Sequence, residues 1–538
     1  MGTSESKLTE NAGTPERCLE IKRGPGLPTR SISPKFHFKQ CEYLVDKLRL
    51  AAEAADSFVH PQMSEIGTLN PFVEGFRRYS YVHNIRHLGL RLQNAEYAGS
   101  LSTEHSANCL ESFKLLYALS REVESFTQNC SKDTWIQDAL TMTNVSELVS
   151  SIGFNLELWR IAYRTGRRSL TLTEVVVVYD TEVQSVKEKA SSDLETLSTS
   201  LNAVLRSDKS SISEQQLAAF TLDRLHQRSS DSSQSSLLEA VLNLKHGDLH
   251  KVGKGASATV YRWRWLGAEL VVKTFYGGDN EDFSKEVSVL KDLSHPNIIT
   301  LLCFAKGDSK CSIVMEKMDE DLDSLIQRRK ESRGPNEPPF CLLEAIDIML
   351  QIGGGMQYLH ESRIAHRDLK SMNILVKCVK AANDLEIEYV VVKVADFGIS
   401  KTKLKSMTFS NQTPNTGTTR WMAPESMKLA DTECKEEMSE GETTVAKYPL
   451  KCDIYSFAMV GYEILTGNLP FPNISNAEVR RLVLKGERPQ LPDGCPDKLK
   501  DLIKRCWSED PQKRPPFGYI CTTLRHLKYC AIIGDYDS

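Results

Sequence analysis

The chain has 538 residues, 40% hydrophobic and 26% charged, and its 67 Lys and Arg against 71 Asp and Glu leave a net charge of −4. This ordinary globular mix excludes collagen-like, wholly disordered and disulfide-scaffold classes, and the length points to about two to four folded units. So even a charge balance carries no footprint for nucleic acid, and no nucleic-acid partner is expected. The 14 cysteines stand singly, with no C-x-x-C pair, which fits reduced thiols and a cytoplasmic location.

Residues 1–35 hold Gly13-Thr14-Pro15 and Gly24-Pro25-Gly26-Leu27-Pro28 without apolar periodicity, the pattern of a disordered tail. Met1-Gly2-Thr3-Ser4-Glu5-Ser6 has the M-G-x-x-x-S form of a myristoylation signal. It reads either as that signal, which would add peripheral membrane contact, or as an ordinary polar start. No apolar run approaches the ~20 residues of a membrane helix, and no secretory signal is evident.

Three amphipathic stripes follow over 36–168, one from Cys41 through Leu44, Leu48 and Ala51 to Phe58, one from Cys109 through Phe113, Leu116 and Val123 to Phe126, and one from Val145 through Ile152 to Trp159. Stripes at this spacing are satisfied by packing on one another, which predicts an all-α helical bundle. Gly153 should weaken the third helix a little. Over 169–206 a near-heptad seam runs from Leu172 through Tyr179, Val186, Leu194 and Leu201 to Val204, and Thr171 with Glu174 forms a capping box at its start. This long helix is either the last of the bundle or a brace, and residues 172–204 also offer a seam for self-association. Six serines between Ser229 and Ser236 mark 207–243 as a serine-rich linker.

Beyond it lies a series of motifs with chemical content. Val252-Gly253-Lys254-Gly255-Ala256-Ser257-Ala258-Thr259-Val260 is a glycine-rich turn between strand-like residues, where backbone N–H groups can approach phosphate oxygens. Val271-Val272-Lys273 places one lysine among β-branched residues, and a lysine buried there needs anionic partners. Glu286, in the helix-like run Phe283 to Leu290 ahead of His295-Pro296-Asn297-Ile298, is the natural one. Then come His366-Arg367-Asp368-Leu369-Lys370-Ser371-Met372-Asn373, Asp396-Phe397-Gly398 and Ala423-Pro424-Glu425.

These motifs, in this order, resemble the eukaryotic protein kinase family over residues 244–532, with 533–538 left as a tail. The resemblance implies an α+β bilobal fold, a β-rich N-lobe and an α-helical C-lobe, preceded here by the helical bundle. It implies ATP and Mg²⁺ as cofactors and protein substrates as partners. It gives Val252 to Val260 the phosphates and adenine, and Lys273, held by Glu286, the α and β phosphates. Asp368 would accept the substrate proton, Lys370 would stabilise the transferring phosphoryl, and Asn373 and Asp396 would hold the metal. Met315 would be the gatekeeper, with Glu316 and Met318 in the adenine-binding hinge. Glu425 should pair with Arg514, Asp453 should bond the catalytic loop, and Thr418 should bond Asp368 or Lys370.

Trp265-Leu266-Gly267, Trp421-Met422-Ala423-Pro424-Glu425 and Cys506-Trp507 are similar to the tyrosine-kinase-like group, while Lys370 and Gly417-Thr418 are similar to serine/threonine kinases. Arg367 and the hydroxyls between Ser400 and Thr419 fit control by phosphorylation. Residues 377–388 and Asp431 to Glu442 are read as loop insertions. The bundle ahead of the kinase, with Cys130-Ser131-Lys132-Asp133-Thr134-Trp135, resembles plant relatives of mixed-lineage kinase domain-like proteins. Some of those are pseudokinases, whereas Lys273, Asp368 and Asp396 are intact here. The competing readings are a dual-specificity or tyrosine kinase, and an ATP-binding scaffold whose helical bundle is the effector.

Overall fold

The computed structural model describes scattered positions between 39 and 140, and residues 145–165, 168–226, 249–255, 258–277, 280–307, 309–334, 337–381, 384–397, 401–402, 418–433 and 449–535. The tail at 1–35, the fragment 130–135, the serines at 229–236 and most of the segments 398–417 and 434–448 lie outside them.

Helix α1 (Val145–Arg164) buries Val149, Ile152, Leu156 and Trp159, the expected stripe. Gly153 has a packing reason, because a Cβ there would sit 2.9 Å from Glu182 Oε2 and 3.2 Å from the Tyr43 ring. Helix α2 (Leu172–Arg206) starts at the predicted box, Thr171 N–H donating to Glu174 Oε2 at 2.8 Å and Glu174 N–H to Thr171 Oγ1 at 3.2 Å. Its Asp193 carboxylate accepts from the backbone N–H groups of Lys39 (2.7 Å) and Gln40 (2.9 Å). The long seam is taken up within the chain: Val186 and Leu201 are buried, while Leu172 and Leu194 face outward.

The expected linker at 207–243 needs correction. It contains helix α3 (Ile212–His226), which opens on a second capping box, Ser211 N–H to Glu214 Oε2 at 2.8 Å and Glu214 N–H to Ser211 Oγ at 3.2 Å. Leu217, Ala218, Phe220 and Thr221 form its buried face. The serine-rich composition hid a short amphipathic helix with an orthodox start.

Five antiparallel strands follow: β1 (Leu249–Lys254), β2 (Ala258–Trp265), β3 (Ala268–Tyr276), and, after helix α4 (Glu281–Leu290), β4 (Leu301–Lys306) and β5 (Lys310–Glu316), in the order β1-β2-β3-β5-β4. Leu266 (φ 48°) and Gly267 (φ 92°) make the two-residue turn between β2 and β3, the positive-φ geometry that matches strand twist. On β3, Leu270 and Val272 point to one face and Val271 and Lys273 to the other. Both faces are covered, the first by α2 and α3 and the second by α4.

The second lobe begins with β6 (Glu320–Asp321), α5 (Leu322–Arg333), α6 (Leu342–Glu361) and β7 (Ile364–Ala365). Strands β8 (Ile374–Ala381) and β9 (Asp384–Val394) pair as a hairpin, so residues 377–388, expected as a loop insertion, prolong two paired strands instead. Gln351 of α6 stitches this hairpin down through Val390 O (2.9 Å) and Val392 N–H (2.9 Å). A short β10 (Lys401–Thr402) pairs with β7, and helices α7 (Pro424–Glu433), α8 (Pro449–Thr466), α9 (Asn476–Leu484), α10 (Asp497–Cys506) and α11 (Phe517–Ile533) complete the lobe. Among the described residues no helix is long and apolar enough to cross a membrane.

Candidate active site

The glycine turn joins β1 to β2. Gly253 pairs with Val260 and Lys254 with Thr259, with a bulge at Val252, and Gly255 N–H donates to Ala258 O at 2.8 Å to close the turn. A Cβ on Gly253 would meet nothing within 4 Å, so the space above the turn is open. Ala258 and Thr259 are buried and Val252 is exposed, while Ala256 and Ser257 lie outside the described residues.

Lys273 projects from β3 toward α4, where Nζ lies 3.0 and 2.8 Å from the two carboxylate oxygens of Glu286 and 3.2 Å from Asp396 Oδ1. Asn280 caps α4 by accepting from Phe283 N–H at 3.0 Å, which fixes the helix that carries Glu286. Burial works against the lysine charge, but Glu286 and Asp396 outweigh it and hold the Lys273 pKa above its ordinary value. Burial likewise raises Asp396, yet Lys273 more than offsets it and the carboxyl lies below its usual range. Asp396 adopts φ 65°, a left-handed conformation that costs a non-glycine residue of order 1–3 kcal/mol and survives only where the surroundings enforce it.

The loop of residues 366–373 hangs on Asp453 of α8. Its two oxygens accept from His366 N–H (2.9 Å) and Arg367 N–H (2.7 Å), and His360 Nε2 lies 2.9 Å away. Burial would raise this carboxyl, but the bonds and charge of His360, with His366 and the Arg367 amide, bring it below its ordinary value. Held in this way, Asp368 accepts at Oδ2 from Lys370 Nζ at 2.7 Å and from Asn373 Nδ2 at 3.0 Å. Its other oxygen, Oδ1, is buried with no hydrogen-bond partner among the described residues. A buried carboxylate oxygen left this way is costly, and it keeps the capacity to accept one more hydrogen bond. Lys370 Nζ also reaches Thr418 Oγ1 at 3.3 Å.

Below the cleft, Arg514 forms a two-pronged pair with Glu425, Nη1 to Oε1 at 2.6 Å and Nη2 to Oε2 at 2.8 Å, with the guanidinium fully buried. Arg514→Ala is expected to destabilise the fold by about 3 kcal/mol, read as a shift in denaturation midpoint, because it empties a fully buried site and removes the bonds to Ser508 O and Lys451 O as well as the cation facing the half-buried Glu425 carboxylate.

Three connecting side chains escaped the sequence reading, two of them buried. Lys393 of β9 pairs with Glu316 at 2.6 Å, and Glu316 Oε1 also accepts from Thr300 N–H at 2.8 Å. Glu316 is thereby held from both sides, and Met315 and Met318 are buried as well. A single lysine in Val390-Val391-Val392-Lys393-Val394 is the same signal that marked Lys273. Asn297 Nδ2 donates to Val392 O at 2.9 Å, anchoring the turn after α4 to β9. Glu463 accepts from Ser371 Oγ (2.9 Å) and Trp421 Nε1 (2.7 Å), joining the catalytic loop to the segment before Ala423-Pro424-Glu425.

Burial pushes Glu463 up to about 8 against the two hydrogen bonds that lower it. The folded protein therefore keeps a proton that the unfolded chain releases near 4.5, and the Glu463 contribution makes stability fall as pH rises between those values. The slope from this one group is at most about 1.4 kcal/mol per pH unit. Denaturation midpoints of the wild type and Glu463→Gln at pH 5.5 and 8 should show a shallower fall in the variant.

Residues 248–524 match the model of the protein tyrosine and serine/threonine kinase family. The chain is 44% identical over 540 residues to a light-sensor protein kinase of Ceratodon purpureus, a likeness that covers 96% of this chain and 38% of that protein. It is 32% identical to serine/threonine/tyrosine-protein kinase HT1 of Arabidopsis thaliana, over 53% of this chain and 67% of that one. It is 30% identical to the tyrosine-protein kinase transforming protein ros of UR2 avian sarcoma virus, over 54% and 70% respectively. The chain thus spans well under half the length of the Ceratodon relative, and that likeness alone of the three takes in the helices ahead of the sheet.

Proposed function

Because the chain belongs to the protein tyrosine and serine/threonine kinase family, we propose that it transfers the γ-phosphoryl of Mg·ATP to serine and threonine hydroxyls of proteins. The unpartnered Oδ1 of Asp368 carries this reading. A substrate hydroxyl bonded there would give up its proton to the carboxylate as its oxygen attacks. Lys370, fixed between Asp368 and Thr418, is placed to bear the charge that spreads over the transferring oxygens. Lys273 holds the α and β phosphates, and the 252–260 turn closes over them while the hinge at Glu316 to Met318 takes the adenine. The oxygens of Asn373 and Asp396 are the hard donors that suit Mg²⁺, and we assign the ion to them. When bound it neutralises charge between the phosphates.

The Lys370 to Thr418 bond supports serine/threonine specificity and, with Trp421-Met422-Ala423, placement in the tyrosine-kinase-like group. We also assign a regulatory role to the helical region and to phosphorylation of the hydroxyls between Ser400 and Thr419. The extent of the likeness to the Ceratodon kinase supports the first of these. Acid hydrolysis of the autophosphorylated protein tests the specificity. Phosphoserine and phosphothreonine are expected, and phosphotyrosine as the main product would move the assignment to a tyrosine kinase.

A further inference from the structure

Helix α2 is attached to both lobes. Its N-terminal half packs on α1 and on the C-lobe: Tyr179 meets Phe154 of α1 edge to face, and Val175, Tyr179 and Val186 lie in the large apolar cluster that takes in α6 and α11 and runs on into α4. The Arg525 guanidinium of α11 lies 3.6 Å from the centre of the Tyr179 ring. Just ahead of the helix, Leu170 O accepts from the buried His526 at 2.9 Å and Arg168 O from Tyr529 Oη at 2.5 Å. From α1, Asn155 Oδ1 accepts from the fully buried Lys528 at 2.7 Å, and Lys528 also pairs with Asp347 of α6.

The C-terminal half belongs with the N-lobe. Leu197, Leu201 and Val204 join α3 in a second cluster with Trp263, Trp265, Leu270, Val272 and Val314, the sheet face turned away from Lys273. Phe220 of α3 meets Trp265 edge to face, with centroids 5.6 Å apart. Between the two attachments, Ser191, Leu194 and Glu195 are exposed, and the Asp193 carboxylate holds the backbone of Lys39 and Gln40. A third contact falls in the turn after α4. His295 Nδ1 accepts from Asn297 N–H at 3.0 Å, so a neutral ring carries its proton on Nε2, which lies 2.9 Å from Glu147 Oε2 of α1.

We propose that α2 is a positioning strut for phosphotransfer: a stiff rod of about 50 Å that holds the two lobes at the angle where Lys273, Asp368 and Asp396 converge. The two lobes are also joined by the hinge and by the turn after α4, where Asn297 reaches β9, and Lys273 stands on one lobe while Asp368 and Asp396 stand on the other. Close-packed contacts such as Phe220 on Trp265 do not slide continuously, so a rod fixed at both ends restricts opening of the cleft. Any signal that moved one end of α2 would reach the reacting groups by the same route.

The proposal rests on the phosphotransfer reading only for its kinetic arm. The test uses the full chain with Ser191→Gly and Glu195→Gly together, two exposed positions between the attachments that leave both packed ends intact. A matched control, Thr173→Gly with Val177→Gly, places the same flexibility at exposed positions beside the C-lobe attachment. The strut variant is expected to weaken Mg·ATP binding by about fivefold or more, within the ordinary range of coupling between sites. Its kcat/KM should fall further, while its thermal midpoint stays with that of the control. Unchanged binding and kinetics, a gain in activity, or an equal loss in the control would each overturn the strut. A wild type that binds Mg·ATP but transfers no phosphate would remove the kinase reading instead, and the ratio of binding constants would still decide the strut.

Discussion

Residues 244–538 produced without the preceding helices are expected to aggregate, or to melt far below the full chain. The outer face of the sheet carries Trp263, Trp265, Leu270 and Val272, with Leu302, Cys303 and Val314 from the neighbouring strands, and all are buried under α2 and α3. Exposing side chains of this size loses roughly 1.5–3 kcal/mol each, so the face as a whole represents about 10–20 kcal/mol. Net stabilities of folded domains are about 5–15 kcal/mol, so little would remain. At the other end, Lys528 and Asp347 would lose Asn155 and the cover of α1, leaving a charged pair open to water. Thermal unfolding and size-exclusion chromatography of the two proteins check this. A soluble, cooperatively folded fragment with the melting point of the full chain would show that the helices are an ornament on the sheet.

Asp368→Asn is expected to lower kcat about a thousandfold, within the range for loss of a general base, and to leave Mg·ATP affinity nearly unchanged. The amide is close to isosteric and keeps an acceptor oxygen, so a substrate hydroxyl can still dock. It cannot take the proton, and a nitrogen facing Lys370 or Asn373 would lose the bonds now made at 2.7 and 3.0 Å. Single-turnover transfer measured beside ATP binding separates the two effects. A loss confined to binding would contradict the role given to Asp368.

Much of the site was legible because its motifs are local. Lys273 and Glu286 could be paired on the page, since a lone lysine in a β-branched strand demands an anion and a helix with one interior carboxylate follows it. The expected contacts of Glu425 with Arg514, Asp453 with the loop backbone and Lys370 with Thr418 have their counterparts in the structure. Partners far apart in sequence, with no motif of their own, were not legible: Lys528 with Asp347, Glu147 with His295, and Glu463 between Ser371 and Trp421. Helix α3 was missed because Ser211 and Glu214 sit inside a serine-rich stretch whose composition reads as a linker. The covered outer face could have been foreseen. Alternation in β3 gives Leu270 and Val272 on one side and Val271 on the other, and a strand apolar on both faces needs cover on both.

The most direct test is transfer of labelled γ-phosphoryl from Mg·ATP by the full-length chain, to itself and to a general serine- and threonine-containing protein, beside Lys273→Met. The site as built predicts label on serine and threonine in the wild type and its loss in the variant, whose side chain can bond neither Glu286 nor phosphate. No label from a folded wild type that binds Mg·ATP, or equal label in both proteins, would contradict it.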